Sequence, residues 1–216
     1  MFEMQGTSRL FQTSANVMNL SEYNKKFEKT ITDLYVRYGG DIMAGIATNA
    51  LTKIKQRVQE TGTNAKGGKF PPYSTKPMLI GSSSFPTKAV GQRVFGSKEK
   101  RKSMDWRTLG EGEDAKRLAI LQGGYKEWRT LMGRQTGHVD FAVSNDMWND
   151  INVISKHSDH SRGIAIIGAK KDSEKRKLEG NTKRKGDILD LSLSEIDELK
   201  RDYNLEVLQV FKSNGL

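Results

Sequence analysis

The sequence predicts an α+β fold in which a long N-terminal helix packs on a small antiparallel sheet and a capped C-terminal helix lies beside it. Apolar residues recur at three- and four-residue spacing between Tyr23 and Val58, which is the period of an amphipathic helix. Two β-branched runs flank a polar turn at about 155–163, a pattern typical of an antiparallel hairpin. Ser192 and Glu195 form a capping box that marks the start of the closing helix.

Length and composition indicate a modest core with long extensions. The chain has 216 residues, of which 35% are hydrophobic, and it contains no cysteine. This length supports one sizeable core, and the low apolar fraction favours much solvated or partner-dependent chain around it. We therefore expect an N-terminal arm at 1–20 and a single α+β domain at 21–216, with an extended loop insertion at about 61–120.

The first helix is expected to begin near Ser21, a good N-cap residue, and to stop at Thr61-Gly62. Gly39-Gly40 interrupts its apolar stripe, so the helix is either straight or kinked at the glycines. We expect the stripe to pack on the sheet.

The insertion at 61–120 has little periodicity and is rich in Gly, Ser and Lys. Loops longer than about 15 residues are uncommon in compact domains and tend to be functional or disordered. Within the insertion we expect a short strand at Val90–Phe95 and a short helix from Asp114 to Gln122. We interpret the whole as a segment that becomes ordered against neighbouring subunits.

The second half of the chain is expected to supply the sheet. A short helix lies between Gly123 and Gly133, and alternating apolar residues at 139–145 predict a strand or the approach to one. Runs at 147–155 and 163–168 are expected to pair as the hairpin.

After the hairpin comes a polar, Lys-rich stretch at 169–186, which we expect to be partly helical at most. The helix that begins at Ser192 follows it, and Leu205–Phe211 then forms a final short strand or tail.

The charge distribution points to anionic partners. The formal net charge is +10 and the isoelectric point is about 9.6, whereas the end of the chain at 187–216 is acidic. A basic body with an acidic end is compatible with head-to-tail association of copies or with contact to a phosphate backbone. The candidate basic patch comprises Lys98, Lys100, Arg101, Lys102, Lys175, Arg176, Lys177, Lys183, Arg184 and Lys185.

Trp106 lies close to the first basic run, as stacking aromatics do in single-strand binders. No helix-turn-helix, zinc finger or RNA-binding strand is recognisable, so specific nucleic-acid recognition is not indicated.

No pattern in the sequence indicates an enzyme, a metal site or a cofactor site. Gly62, Gly67 and Lys69 do not have the spacing of a phosphate-binding loop. His157 and His160 flank Asp159 in the hairpin turn, but metal binding would need further ligands from elsewhere. A Cys nucleophile and a Gly-x-Ser-x-Gly motif are both missing, and no run is long enough to span a membrane.

The segment from Gly67 to Ser74 reads Gly-Gly-Lys-Phe-Pro-Pro-Tyr-Ser and follows the long helix. Its two prolines fix their own φ angles and restrict the preceding residues, so we expect a stiff arm. The arm, a later Thr136-Gly137 step, the strand pair and the closing helix together resemble the virion morphogenesis family of tailed-bacteriophage neck and tail-completion proteins. In that family a long helix leads to a Gly-rich turn and a G-x-x-F/W-x-P-L/Y-S segment. The resemblance extends over most of residues 21–205.

The resemblance implies a structural virion component, assembled in the host cytoplasm, that forms or joins a ring at the head–tail connection. Its expected partners are further copies of itself and portal, adaptor and tail proteins, with possible non-specific contact to packaged DNA. A stiff arm docks at low ordering cost. The candidate interface residues are Phe70, Pro71, Pro72 and Tyr73 of the arm, and Trp106 of the insertion.

The alternative function is a non-enzymatic, basic nucleic-acid-binding protein. The two functions differ in their response to salt, because a protein that neutralises several phosphates loses affinity steeply as the salt concentration rises.

Overall fold

A computed structural model of the chain describes residues 19–81, 91, 95, 102, 104–112, 115–142, 144–160 and 162–213. The predicted α+β class is confirmed, with helices and two separate antiparallel sheets. The helices are α1 (Leu20–Gln56), α2 (Gly124–Leu131), α3 (Asp146–Asp150), α4 (Asp172–Lys185) and α5 (Leu193–Ser213). The strands are β1 (Met78–Ile80), β2 (Asp105–Leu109), β3 (Lys116–Leu121), β4 (Ile151–Ser158) and β5 (Gly163–Ala169).

The long helix α1 is confirmed, and a single π-helical turn, Arg57–Thr61, extends it. Its N-cap is Asn19 rather than Ser21, because the Asn19 side chain accepts a 2.9 Å hydrogen bond from the Glu22 backbone in a reciprocal capping box. The helix is continuous through the two central glycines. A Cβ on Gly39 would lie 3.3 Å from Cβ of Ser158, so the small residues let the hairpin turn approach the helix closely.

The predicted hairpin is confirmed as β4 and β5, which pair from Ile151↔Ala169 to Ser158↔Gly163. One detail of the prediction is wrong. Met147 and Trp148 belong to the short helix α3, where both are buried, and β4 begins only at Ile151. Of the two alternatives for 139–145, the described residues form no strand and lead through α3 to β4.

A second sheet, in the order β1-β3-β2, occupies part of the insertion. The helix predicted from Asp114 to Gln122 is wrong, since Lys116–Leu121 is the central strand of this sheet and pairs on both sides. Burial alternates along it, with Ala119 and Leu121 facing the core, which is the two-residue period of a strand. The strand predicted at Val90–Phe95 lies largely outside the described residues.

The C-terminal third is more helical than predicted. The stretch at 169–186 contains the regular helix α4, and α5 continues through Leu205–Phe211 instead of giving way to a strand or tail. In α4 the first turn carries Asp172 and Glu174 and the last turn carries Lys183, Arg184 and Lys185, an arrangement that complements the helix dipole. Lys177 also bonds Glu174 at 2.8 Å, three residues earlier.

Three apolar clusters hold these elements together. The hairpin and α5 both pack on α1, and no helix in the described part of the chain has the length and apolar content needed to cross a membrane. The main cluster consists of Leu51, Ile54, Val58, Phe70, Tyr73, Val139, Met147, Trp148, Ile151, Ala169 and Ile188. A second consists of Ile80, Ala119, Leu121 and Trp128, and a third of Ile42, Ile46, Ala50 and Leu199.

Arg57 joins the end of α1 to the start of α5. Its guanidinium donates to the Glu195 carboxylate at 2.8 Å and to the backbone oxygens of Thr63 and Asp190 at 2.7 and 2.6 Å. Glu195 in turn accepts from the Ser192 backbone at 2.7 Å, which confirms the predicted capping box. Burial alone would raise the pKa of Glu195, but the hydrogen bonds from Arg57 and Ser192 outweigh burial and lower this pKa.

We expect Glu195→Gln to lower stability at neutral pH and to lose its effect in acid. A carboxyl whose pKa is depressed by folding stabilises the protein above its ordinary pKa of 4.5, and this contribution disappears as the pH falls through the folded-state value. Urea unfolding from pH 7 to pH 3 should therefore show a wild-type advantage that is constant at first and shrinks below about pH 4.5. An advantage that grows as the pH falls would contradict the assignment.

We expect Gly62→Ala to cost more stability than Gly67→Ala. Both glycines have left-handed backbones, with φ of 65° and 80°, so each alanine pays about 1–2 kcal/mol in backbone strain. Only at Gly62 would the new Cβ also meet a neighbour, at 2.6 Å from Cβ of His138, whereas nothing lies within 4 Å at Gly67. Thermal unfolding of the two variants measures the difference, and equal losses would show that His138 moves aside freely.

Candidate interaction surfaces

The Pro-rich arm folds back on its own chain. After the turn at Gly67, the backbone N–H of Phe70 donates to the Gly62 carbonyl at 2.9 Å. Phe70 and Tyr73 are buried in the main core, and the Phe70 ring meets the Phe141 ring edge-on at 5.0 Å.

The interface assignment of Phe70 and Tyr73 is therefore corrected, since their side chains are used inside the chain. Pro71 and Pro72 are exposed, and their carbonyl oxygens accept from Nζ of Lys185 at 2.8 Å. Burial along the arm repeats after three residues, from Phe70 to Tyr73, which is the period of a polyproline II backbone, so the two prolines between them face solvent.

Beneath the arm lies a buried ion pair between Arg129 of α2 and Asp140. Nη2 of Arg129 lies 2.9 Å from both carboxylate oxygens of Asp140, and Arg129 is 0% exposed. Tyr73 donates its hydroxyl to Asp140 at 2.7 Å, and the guanidinium carbon of Arg129 lies 4.4 Å from the Tyr73 ring centre. Burial, more than the neighbouring carboxylate, raises the pKa of the Tyr73 hydroxyl, so this group is a donor at neutral pH.

The remaining polar atoms of this pair bind the surrounding backbone. Arg129 donates to the carbonyls of Gln135 and Ala142 at 3.1 and 3.0 Å, and the Gln135 amide donates to Asp140 at 2.8 Å. The backbone oxygen of Asp140 accepts from the Trp148 indole at 3.0 Å. The network thus fixes the loop at 135–142. Both the Arg129 guanidinium and the Asp140 carboxylate are hydrogen-bonded, and these bonds offset the cost of burying the two charges.

An open cleft of about 630 Å³ lies beside this network. A face of α4 that carries Lys177, Asn181 and Arg184 lines one part of the cleft, and the loop leading into α3 lines another; the two parts are in contact where the Asn181 amide donates to Sδ of Met147 at 3.7 Å. The loop contains two residues with left-handed backbones, Phe141 and Asn145, with φ of 53° and 65°. Its apolar surface includes Tyr125 and Phe141.

The structure describes only part of the predicted basic patch. Lys98, Lys100 and Arg101 lie outside the described residues, and Lys102 is exposed. The six other bases all belong to α4, but they do not form one free surface. Lys175 and Lys177 bond the carboxylates of Asp172 and Glu174 at 3.1 and 2.8 Å. Burial and the charge of Arg184 lower the pKa of Lys185, whose ammonium holds the arm.

Trp106 lies on β2, at the second sheet, and is half-buried. Its ring lies 5.7 Å from the Phe95 ring, and the Arg117 guanidinium carbon is 4.7 Å from its centre. These contacts hold Trp106 within its own sheet, away from the bases of α4.

Exposed large apolar side chains lie on α1, the hairpin, the second sheet and α5, and two groups of them are considered as surfaces. At the start of α1, Leu20, Tyr23 and Phe27 are 75%, 54% and 40% exposed and lie along one stripe. We call this the α1 stripe. On the hairpin, Ile154, Ile164 and Ile166 are 46%, 37% and 50% exposed, and we call this the hairpin face.

The His157–His160 turn closes the hairpin, and its Asp159 carboxylate binds Arg162. Among the residues that the structure describes, no three His, Asp or Glu side chains are placed to hold a metal ion.

Comparison of the chain with protein-family models, with curated proteins and with solved structures gives no match.

Sequence reasoning missed the Arg129–Asp140 pair. The two residues lie 11 positions apart, Arg129 on α2 and Asp140 in the loop that follows it, so no helical or strand period relates them. A weak signal was present, because Arg129 falls between the apolar residues Trp128 and Leu131 of a short helix, a poor position for an unpaired charge.

We expect Asp140→Asn to cost about 3–5 kcal/mol of unfolding free energy, since it leaves the buried Arg129 charge without its partner. Asp41→Asn is the matched control. It breaks the Lys156–Asp41 pair, whose side chains are 55% and 64% exposed, and it should cost about 1 kcal/mol or less. Urea denaturation of both variants gives the comparison, and similar losses would remove the central role of the buried pair.

Proposed function

We propose that the chain is a structural virion protein that forms or joins a ring at the head–tail connection of a tailed bacteriophage. The family part of this proposal rests on the resemblance in the arm, the Thr136-Gly137 step and the order of elements. The proposal that copies associate rests on the hairpin face.

The hairpin presents apolar side chains on both of its faces, and on the outer face Ser155 and His157 lie across from Ile166 and Ile164. One face packs on α1, with Ile151 fully buried at the start of β4, while the other face presents Ile154, Ile164 and Ile166 to solvent. Sheets that are apolar on both sides are typically covered on both sides. Covering these half-exposed isoleucines is worth about 1 kcal/mol each, so the hairpin face is suited to a second layer from another chain.

The α1 stripe has the form of such a layer. Tyr23 and Phe27 lie one turn apart, with their rings stacked at 6.1 Å, and residues 21–29 are all exposed. A helix laid on the hairpin face would complete a helix–sheet–helix arrangement. Because the stripe and the hairpin face are different surfaces of one chain, their contact is heterologous, and heterologous contacts generate rings when the rotation closes.

Portal or adaptor proteins on one side and tail proteins on the other are the partners that this position implies. Non-specific DNA contact belongs to the same proposal. Arg176 and Lys183 of α4 are exposed and, within the described residues, have no carboxylate partner.

We expect two variants that cannot assemble alone to form a dimer with each other. Phe27→Asp damages the stripe and leaves the hairpin face intact, and Ile166→Asp does the reverse. Each variant alone should be monomeric by light scattering under conditions in which the wild type forms a closed oligomer. Mixed together, the two should form one-to-one dimers, because a single intact contact remains between them.

Lys29→Asp serves as the control, since it places the same charge on the opposite side of α1 and should leave assembly unchanged. A contact built from one self-complementary surface would leave one of the two variants dimeric on its own, and mixing would give no new species; this result would overturn the heterologous arrangement.

The position in the virion is tested separately, by quantitative mass spectrometry of purified phage particles that encode this chain. A fixed, ring-like copy number per particle supports the neck assignment. Absence from the particles overturns it, and a steep dependence of DNA affinity on salt would then favour the nucleic-acid-binding alternative.

A further inference from the structure

We infer that the cleft lined by α4, Phe141 and residues 144–147 is a docking site for a short acidic segment of a partner protein, one that presents an apolar anchor side chain next to a carboxylate. The inference takes the kind of partner, a protein of the same assembly, from the proposed function.

The α4 wall supplies the polar half of this recognition. Lys177, Asn181 and Arg184 lie on one face of α4, because positions four and seven residues apart share a face. The ammonium of Lys177 is shared with Glu174, whereas the hydrogen bond of Arg184 goes to the Asn181 amide oxygen at 3.3 Å, and among the described residues no carboxylate forms an ion pair with it. An arginine in this state retains the donors needed for a bidentate bond to an incoming carboxylate.

Two aromatic residues of the cleft lining supply the apolar half of this recognition. Tyr125 and Phe141 line the cleft, and its volume of about 630 Å³ is in the range of sites that enclose a side chain and its flanking backbone. Asn145 and Asn181 both line the cleft, and the Asn181 amide also donates to Sδ of Met147 at 3.7 Å. Side-chain amides of this kind pair with both the N–H and the C=O of an extended peptide.

The cleft favours a peptide over a polyphosphate chain. Asp146 lies in the lining, and its carboxylate accepts a 2.6 Å hydrogen bond from the Ser144 hydroxyl. A phosphate backbone that crossed the cleft would meet this negative charge, whereas a peptide with one or two acids can direct them at Arg184 and keep its neutral backbone near Asp146.

The test uses an end-capped, fluorescein-labelled pentapeptide, Gly-Glu-Phe-Asp-Gly, with the neutral peptide Gly-Gln-Phe-Asn-Gly and a thymidine decamer as comparison probes. We expect anisotropy titrations to show binding of the acidic peptide alone. Arg184→Gln should weaken it about tenfold, the value of one charge-assisted hydrogen bond. Arg176→Gln is the matched control, because it removes the same charge from an exposed position of α4 outside the cleft lining and should leave the affinity within about twofold.

Nuclear magnetic resonance localises the site independently of the variants. The side-chain amide signals of Asn145 and Asn181 should shift with added acidic peptide, and that of Asn204, on α5, should not. Equal weakening by both arginine variants, preference for the decamer, or no binding would each overturn the inference. If the protein forms rings and does not bind the peptide, the docking inference is wrong and the ring proposal stands. If it binds the peptide and stays monomeric, the ring proposal is wrong and the docking inference stands.

Discussion

The rest of the structure depends on the requirement that the buried charge of Arg129 be balanced. The guanidinium is 0% exposed, so it needs a carboxylate and an acceptor for its remaining N–H groups. Asp140, the carbonyl oxygens of the loop and the face of Tyr73 meet this requirement. The Coulomb attraction in such a pair roughly cancels the loss of hydration, so its main effect is to select one arrangement of the segments around it.

That selection reaches the surface through the arm. Tyr73 is tied to Asp140, and this places the exposed prolines where their carbonyl oxygens meet Lys185 at the end of α4. The last turn of α4 is thereby held next to Phe141 and residues 144–147, and the same aspartate accepts a 2.8 Å hydrogen bond from the Ala142 backbone. The carboxylate of Asp140 therefore positions both parts of the cleft lining. The carbonyl oxygens of Pro71 and Pro72 bind α4 of the same chain, whereas the stiffness of the prolines had suggested a segment that projects from the chain.

Local patterns predicted the long helix, the hairpin and the start of α5, because each carries its signal within a few residues. They failed for Lys116–Leu121, whose short apolar run fits a helix or a strand equally well. Its identity is decided by pairing with Met78–Ile80, about forty residues earlier, which no local period records. They failed for α4 as well, since Leu178 is its only large apolar residue and charge placement stabilises the helix instead. Of the candidate site, the bases of α4 were visible in the sequence, but the loop that faces them was not.

The central glycines explain why the start of α1 remains uncovered. Gly39 and Gly40 do not bend the helix. Because they lack side chains, the hairpin turn packs directly against the helix. A Cβ added to Gly163 would lie only 2.6 Å from the carbonyl oxygen of Gly39. The hairpin reverses direction at this point and covers α1 only from about Gly39 onward. From Leu20 to Gly39 the helix rises about 28 Å, at 1.5 Å per residue, and its first turns extend well past the hairpin. The α1 stripe in that position has no partner within the described chain. Gly39 and Gly40 set where the hairpin turn packs on α1, and this position leaves the stripe exposed.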